Sequence, residues 1–155
     1  MLRIVSLDLK KGIAELSIEC EDDLWALYSI IEKGDVVAAK TTREVKFGEE
    51  GESRRIPMVV SLRVESVEFQ PFTDKLRIKG VVVDAPEEYG IKGKHHTIAV
   101  SPGMRIVLWK NNWREYHVER LREFGKVRER VVVVVLDYDE ACIAVIGEQG
   151  VRVVA

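Results

Sequence analysis

Glutamine, asparagine and cysteine are nearly missing from this chain of 155 residues, with two of each. Cys20 and Cys142 stand far apart and in no C-x-x-C or other metal spacing, so they read as buried thiols rather than as zinc ligands or a redox pair. Long apolar runs are lacking too. The longest uncharged one, residues 131–136, is far short of the roughly 20 residues that a membrane-spanning helix needs. Charge appears within the first ten residues, where a secretory leader would carry a continuous apolar core, so a cytoplasmic protein without membrane contact is expected. P-loop, dinucleotide-binding, zinc-binding and nucleophile-elbow spacings are all missing. Binding through a surface is therefore the default expectation.

What the chain does have is charge and valine. Its 24 Lys and Arg oppose 26 Asp and Glu, for a formal net charge of −2, and the Glu, Lys, Arg and Val bias resembles that of heat-adapted proteins. The length suits one domain of ordinary size, or one domain and the start of another. Residues 2–9 and 13–18 alternate apolar and polar around Lys10, Lys11 and Gly12, which predicts two strands and a tight turn. Glu21, Asp22 and Asp23 then precede Leu24, Trp25, Leu27, Tyr28, Ile30 and Ile31 at helical spacing. The acidic start and Gly34 beyond the end predict one short helix.

Strand patterning returns over residues 36–45, 56–69 and 75–83, with a turn at residues 71–74. The polar stretch at residues 47–55 reads as a long, mobile hairpin loop. Residues 94–100 and 104–110 predict two more strands joined by Ser101, Pro102 and Gly103. A second helix is expected over residues 112–124, capped by Asn112, with Trp113, His117, Arg120, Leu121 and Phe124 on one face. After a charged connector at residues 125–130, three short strands follow at residues 131–136, 141–146 and 151–154. This shift predicts a boundary, with one domain over residues 1–129 and the opening strands of a truncated one over 130–155.

Two groups of side chains carry possible chemistry. Glu19, Glu21, Asp22 and Asp23 could hold a divalent metal such as magnesium or manganese, as a nuclease site does, although acids at this position also suit a helix N-terminus. Arg43, Lys46, Arg54 and Arg55 flank or occupy the polar stretch, and Lys92, Lys94, His95 and His96 form a second basic cluster. Local patches of this kind grip phosphates, although Lys and Arg also guard solvated strand edges. His95 and His96 fall on opposite faces of a strand, so they cannot share one metal. Trp109 and Trp113 could stack on bases, but packing at the strand-to-helix junction accounts for them better.

The run EDDLWALYSIIEKGDVVAAKTTREV, followed by RVESVEFQPFTDKLRIKGVVVDAPEEYGIKGKHHTIAVSPG, resembles the N-terminal domain of the Pelota family of archaeal and eukaryotic ribosome-rescue factors, which are related to class I release factors. Asp23-Leu24-Trp25, Gly34-Asp35, Lys40-Thr41 with Arg43, the stretch from Leu76 to Gly80, and Gly93 through His96-Thr97 carry the likeness over about 125 residues. His95 departs from it, standing where relatives usually have Tyr, as does the glutamate-rich stretch at Glu49, Glu50 and Glu52.

The resemblance implies a mainly β, Sm-like, strongly curved barrel with one or two short helices. It implies that the domain enters the empty decoding site of a stalled ribosome, in no-go and non-stop decay and recycling, with a loop at residues 45–55 reaching ribosomal RNA and mRNA. Arg43, Lys46, Arg54, Arg55, Lys94 and His96 are then the expected RNA contacts, with no cofactor. In the full-length family the partners are a translational GTPase of the elongation-factor 1-alpha class and an ABC-type recycling ATPase. No Gly-Gly-Gln tripeptide occurs, so peptide release is not expected. A divalent-metal-dependent endoribonuclease using Glu19, Glu21, Asp22 or Asp23 is the enzymatic alternative, and a ring-forming Sm-like subunit a third. A monomer is expected.

Overall fold

The computed structural model describes residues 1–48, 51–69, 74–126, 130–147 and 150–155. Seven antiparallel strands form one sheet: β1 (Arg3–Asp8), β2 (Ile13–Ser17), β3 (Val36–Phe47), β4 (Glu52–Phe69), β5 (Leu76–Asp84), β6 (His95–Val100) and β7 (Arg105–Trp109). Their order is β1-β2-β7-β3-β4-β5-β6. Alternation sets the inner face: Ala14, Leu16, Val37, Ala39, Leu62, Ile78, Ile98, Ile106 and Leu108 are all buried. Two helices close the core. In α1 (Glu21–Ile30), Leu24, Leu27 and Ile30 are fully buried on one stripe, and in α2 (Glu115–Phe124), His117, Leu121 and Phe124 are buried.

The mainly β architecture with two short helices is as expected, but the ladder leaves β1 and β6 as edges instead of closing into a barrel. The sheet nonetheless curls. Thr41 Oγ1 on β3 lies 3.3 Å from His96 Nε2 on β6, although β4 and β5 separate those strands in the ladder. At the β4–β5 bulge Gly80 passes so close to the neighbouring strand that an added Cβ would sit 2.0 Å from the Arg63 carbonyl oxygen. Only a residue without a side chain fits there.

Several boundaries differ from the sequence reading. α2 begins at Glu115, not Asn112, because His117 Nδ1 accepts the backbone N–H of Arg114 at 3.1 Å and so supplies the cap. Arg120 is exposed and takes no part in the buried face. Cys20 and Cys142 are free and only half-buried. Trp109 and Trp113 are half-buried as well, and Trp113 meets His117 edge-on at 6.0 Å. Of the expected turns and connectors, residues 49–50, 71–73, 127–129 and 148–149 lie outside the described residues.

The last three strands, β8 (Val131–Leu136), β9 (Ala141–Gly147) and β10 (Gly150–Val153), make a separate antiparallel sheet, and every residue of β8 is exposed. Arg130 and Arg152 face Asp22 and Glu21 at 3.6 and 3.3 Å. No helix among the described residues is long and apolar enough to cross a membrane.

A buried charge cluster ties the opposite end of the main sheet together. Lys110, just past β7, is 4% exposed, and its Nζ lies 2.6 Å from Asp35 Oδ2 and 3.2 Å from Glu32 Oε2. Asp35 also accepts the Glu32 N–H at 2.8 Å, and Tyr116 Oη donates to Glu32 Oε1 at 2.9 Å. Removing one partner leaves an uncompensated buried charge, so Lys110→Met is expected to cost about 3 kcal/mol in urea unfolding. A loss under about 1 kcal/mol would contradict that role. Gly80→Ala is expected to lower the unfolding free energy in the same urea titration by about 2 kcal/mol through overpacking, whereas an unchanged value would show that β4 and β5 can separate freely.

Candidate nucleic-acid interface

The polar stretch read as a loop is mostly strand. β3 and β4 pair from Val36↔Arg63 to Phe47↔Glu52, leaving only residues 48–51 between the strands. β7 supports β3 only at Val36–Ala39, and the β5 ladder begins at Ser61. From Lys40↔Val59 outward no third strand joins the pair by a backbone ladder among the described residues, and only the side chains of Thr41 and Arg43 reach across to β6. It is a two-stranded ribbon that continues beyond the sheet. Pro57, which has no N–H, sits within this overhang, where an outer edge needs no donor. Gly48 takes φ +78° at the turn.

Register assigns the basic residues to faces. Arg43 and Arg54 share the face of Val45 and Ile56, which are half-buried, while Lys46 and Arg55 project with Lys40 and Glu44 from the exposed face. The four are thus brought onto one ribbon, but as two pairs on opposite sides. Acids accompany them. Arg54 Nη2 lies 3.1 Å from Glu52 Oε2 with both side chains more than two-thirds exposed, a pair that water screens strongly. Glu44 sits across from Arg55 and is hydrogen-bonded to Ser53.

At the ribbon's base Arg43 donates from Nη1 to the His95 carbonyl at 3.1 Å, bridging β3 to β6. Beside it lies an open hollow of about 530 Å³ lined by Arg43, Glu65, Lys79, Gly80, His95 and His96, among others. The β4 bulge places Glu65 where its carboxylate meets His95 Nε2 at 3.3 Å. His95 is largely exposed and His96 half-buried, so the two rings do face opposite ways. Burial, reinforced by the Arg43 guanidinium, holds His96 below the ordinary histidine pKa. Its neutral ring then contributes hydrogen bonding rather than charge at neutral pH. Lys94 stands exposed beside this hollow without lining it, presented by a turn in which Gly93 takes φ +84°. Thr41, Lys79 and Gly80 belong to the site but gave no signal as binding residues, since each looks like ordinary strand patterning.

The acidic residues adopt another arrangement. Asp23 is 1% exposed, and its Oδ2 accepts the N–H groups of Glu19 and Cys20 at 2.8 and 3.0 Å, capping α1. Glu21 and Asp22 face Arg152 and Arg130. Glu19, Glu21 and Asp22 line one cleft, yet no group of three or more His, Cys, Asp or Glu side chains among the described residues is placed to hold a metal.

His117 is depressed like His96, by burial first and then by Lys110. Because Arg114 donates to its Nδ1, its neutral proton sits on Nε2, 3.6 Å from Glu32 Oε1. Both histidines take up protons less readily folded than unfolded. Their penalty is absent above the unfolded value of about 6.5 and grows as pH falls below it. Thermal melts across that range are expected to show a steeper stability loss for the wild type than for His96→Gln/His117→Gln. Parallel pH profiles would refute the assignment.

Residues 2–125 match the family model of the Pelota N-terminal domain. The chain is 50% identical over 151 residues to the pelota homolog of Desulfurococcus amylolyticus, an alignment covering 97% of this chain and 42% of that relative. The crystal structure of Thermoplasma acidophilum Pelota superposes with a TM-score of 0.72 at 28% identity, over 99% of this chain and 43% of that one. A ribosome-bound archaeal Pelota with ABCE1 gives 0.70 at 35% identity, over 99% and 44%. This chain spans less than half the length of these relatives. The match across residues 2–125, joined to this identity and this topology, means that the chain belongs to the Pelota N-terminal domain family.

Proposed function

We propose that residues 1–129 form the ribosome-binding domain of a Pelota-type rescue factor, with the β3–β4 ribbon entering the empty decoding site of a stalled ribosome in mRNA surveillance and recycling. The observation that carries this reading is the overhang. A ribbon with Arg43 fixed at its base and Lys46, Arg54 and Arg55 on two faces further out can meet phosphates on both walls of a narrow, RNA-lined channel. Backbone contacts of this kind carry no sequence information, which suits a factor that acts whatever codon is present. The similarity to an archaeal Pelota bound to a ribosome with ABCE1 supports the same reading.

Lys94 and His96 provide secondary contacts beside the ribbon's base. Residues 130–155 open a further domain. The translational GTPase and ABC-type ATPase partners engage the full-length, cytoplasmic protein mainly through regions beyond the N-terminal domain.

Pelleting with purified archaeal ribosomes across a salt series tests the ribbon. Arg54→Ala/Arg55→Ala is expected to weaken binding about tenfold near 50 mM salt and to lower the slope of log affinity against log salt by about 2. Unchanged low-salt affinity would overturn the assignment.

A further inference from the structure

A second cationic surface lies at the other end of β3. Asp8 Oδ1 accepts the backbone N–H groups of Lys10 and Lys11, both at 3.0 Å, so the β1–β2 turn is held by main-chain bonds and both lysine side chains are left exposed. Gly12 locks this turn onto the segment after β7. It takes φ +71°, its carbonyl accepts the Lys110 N–H at 2.9 Å, and an added Cβ would stand 2.4 Å from the Lys110 carbonyl oxygen. Between the two segments is a hollow of about 350 Å³ lined by Lys10, Lys11, Lys110, Asn111, Asn112 and Trp113, together with Leu9 and Gly12.

The donor set of this hollow selects its ligand. No carboxylate lines it, and the Asp8 oxygen nearest the turn is already engaged by main-chain N–H groups. The Lys110 ammonium is turned inward to Asp35 and Glu32, so the outward charge belongs to Lys10 and Lys11. Two ammonium groups and the Asn111 and Asn112 amides call for an anionic group rich in acceptor oxygens. We propose that the Lys10–Lys11 turn and residues 111–113 form a second RNA contact, gripping a phosphodiester of the same ribosomal RNA that the ribbon enters.

This inference rests on the ribosome-binding reading and adds a separate point of attachment to it. β3 has twelve residues, with Val36 opposite Trp109 at one end and Phe47 at the ribbon's turn. Arg54 and Arg55 sit opposite Val45 and Glu44, so at about 3.4 Å per residue they lie about 30 Å along the strand from Val36. One phosphate-lined groove cannot occupy both surfaces, whereas a large folded RNA can.

The test places Lys10→Gln/Lys11→Gln beside Arg54→Ala/Arg55→Ala in the ribosome-pelleting salt series. The Lys10 and Lys11 side chains are exposed and make no hydrogen bond or ion pair among the described residues, while Asp8 holds the turn through their backbone. The lysine variant is expected to bind about tenfold more weakly at low salt, with the salt slope reduced by about 2. If the lysine variant keeps wild-type affinity and slope while the ribbon variant weakens, the second contact is wrong and the ribbon reading stands. If only the lysine variant weakens, with the reduced slope, the second contact stands and the ribbon reading fails. A lysine variant that weakens with an undiminished slope overturns the phosphate assignment in favour of a ribosomal protein. Loss of neither affinity removes both.

Discussion

The register of β3 on β4 is the constraint on which the rest depends. The same continuous pairing that buries Val37, Ala39, Val60 and Leu62 in the core also sets the faces of Arg43, Lys46, Arg54 and Arg55. A slip of one residue would turn the buried side chains outward, which the core forbids at a cost of several apolar side chains at about 1.5–3 kcal/mol each. The overhang has little apolar burial of its own, with Met58 buried at its base and Ile56 and Val45 only half-buried further out. Its geometry is thus dictated from the sheet outward. The core makes the basic residues of the ribbon a fixed pattern instead of a flexible collection of charges.

Two cross-links hold the ends of this strand pair. At the ribbon's base, Arg43 and Thr41 reach over to His95 and His96 on β6, and Gly80 keeps the intervening β4–β5 contact tight. At the other end, Lys110 gathers Asp35 and Glu32, while Glu32 also receives the Tyr116 hydroxyl of α2. Tyr116 and Lys110 hold the Glu32 carboxyl below its usual range. The charges at this end are consumed internally and fix the segment after β7 beside the Lys10–Lys11 turn. Structural charge and available charge are separated by burial: Lys110 is enclosed, whereas Lys10, Lys11, Lys46, Arg54 and Arg55 are exposed.

Much of the architecture was legible because one face of each strand is buried. Alternation marks β1, β2, β5, β6 and β7 within a residue or two, and the acidic start marks α1. The ribbon was misread because both of its faces meet solvent near the tip, so the period of two in hydrophobicity vanishes between Lys46 and Arg55 while the backbone pairing persists. Pro57 held an unused clue, since proline in a strand points to an edge. The start of α2 was misplaced because its cap comes from a histidine at the third helical position, not from Asn112. Lys110 was opaque for another reason: its carboxylate partners lie 75 and 78 residues away in sequence. The expected RNA contacts came from the family resemblance combined with charge, because basic residues on a strand look alike whether they bind phosphate or guard an edge.

The acids on the ribbon bear on how the proposed domain would work. Glu44 and Glu52 stand against Arg55 and Arg54, so the ribbon is not a uniformly positive probe. In water the exposed Arg54–Glu52 pair is worth little and opens readily. Near RNA the same carboxylates repel phosphates, which subtracts from the attraction of each arginine and makes position matter more than total charge. A tip of net low charge on a rigid, core-dictated ribbon gains little from diffuse contact with polyanions elsewhere. It gains when the surrounding walls place phosphates beside the arginines and away from the glutamates. That arrangement favours a shaped, empty channel over RNA in general, and it does so without reading a single base.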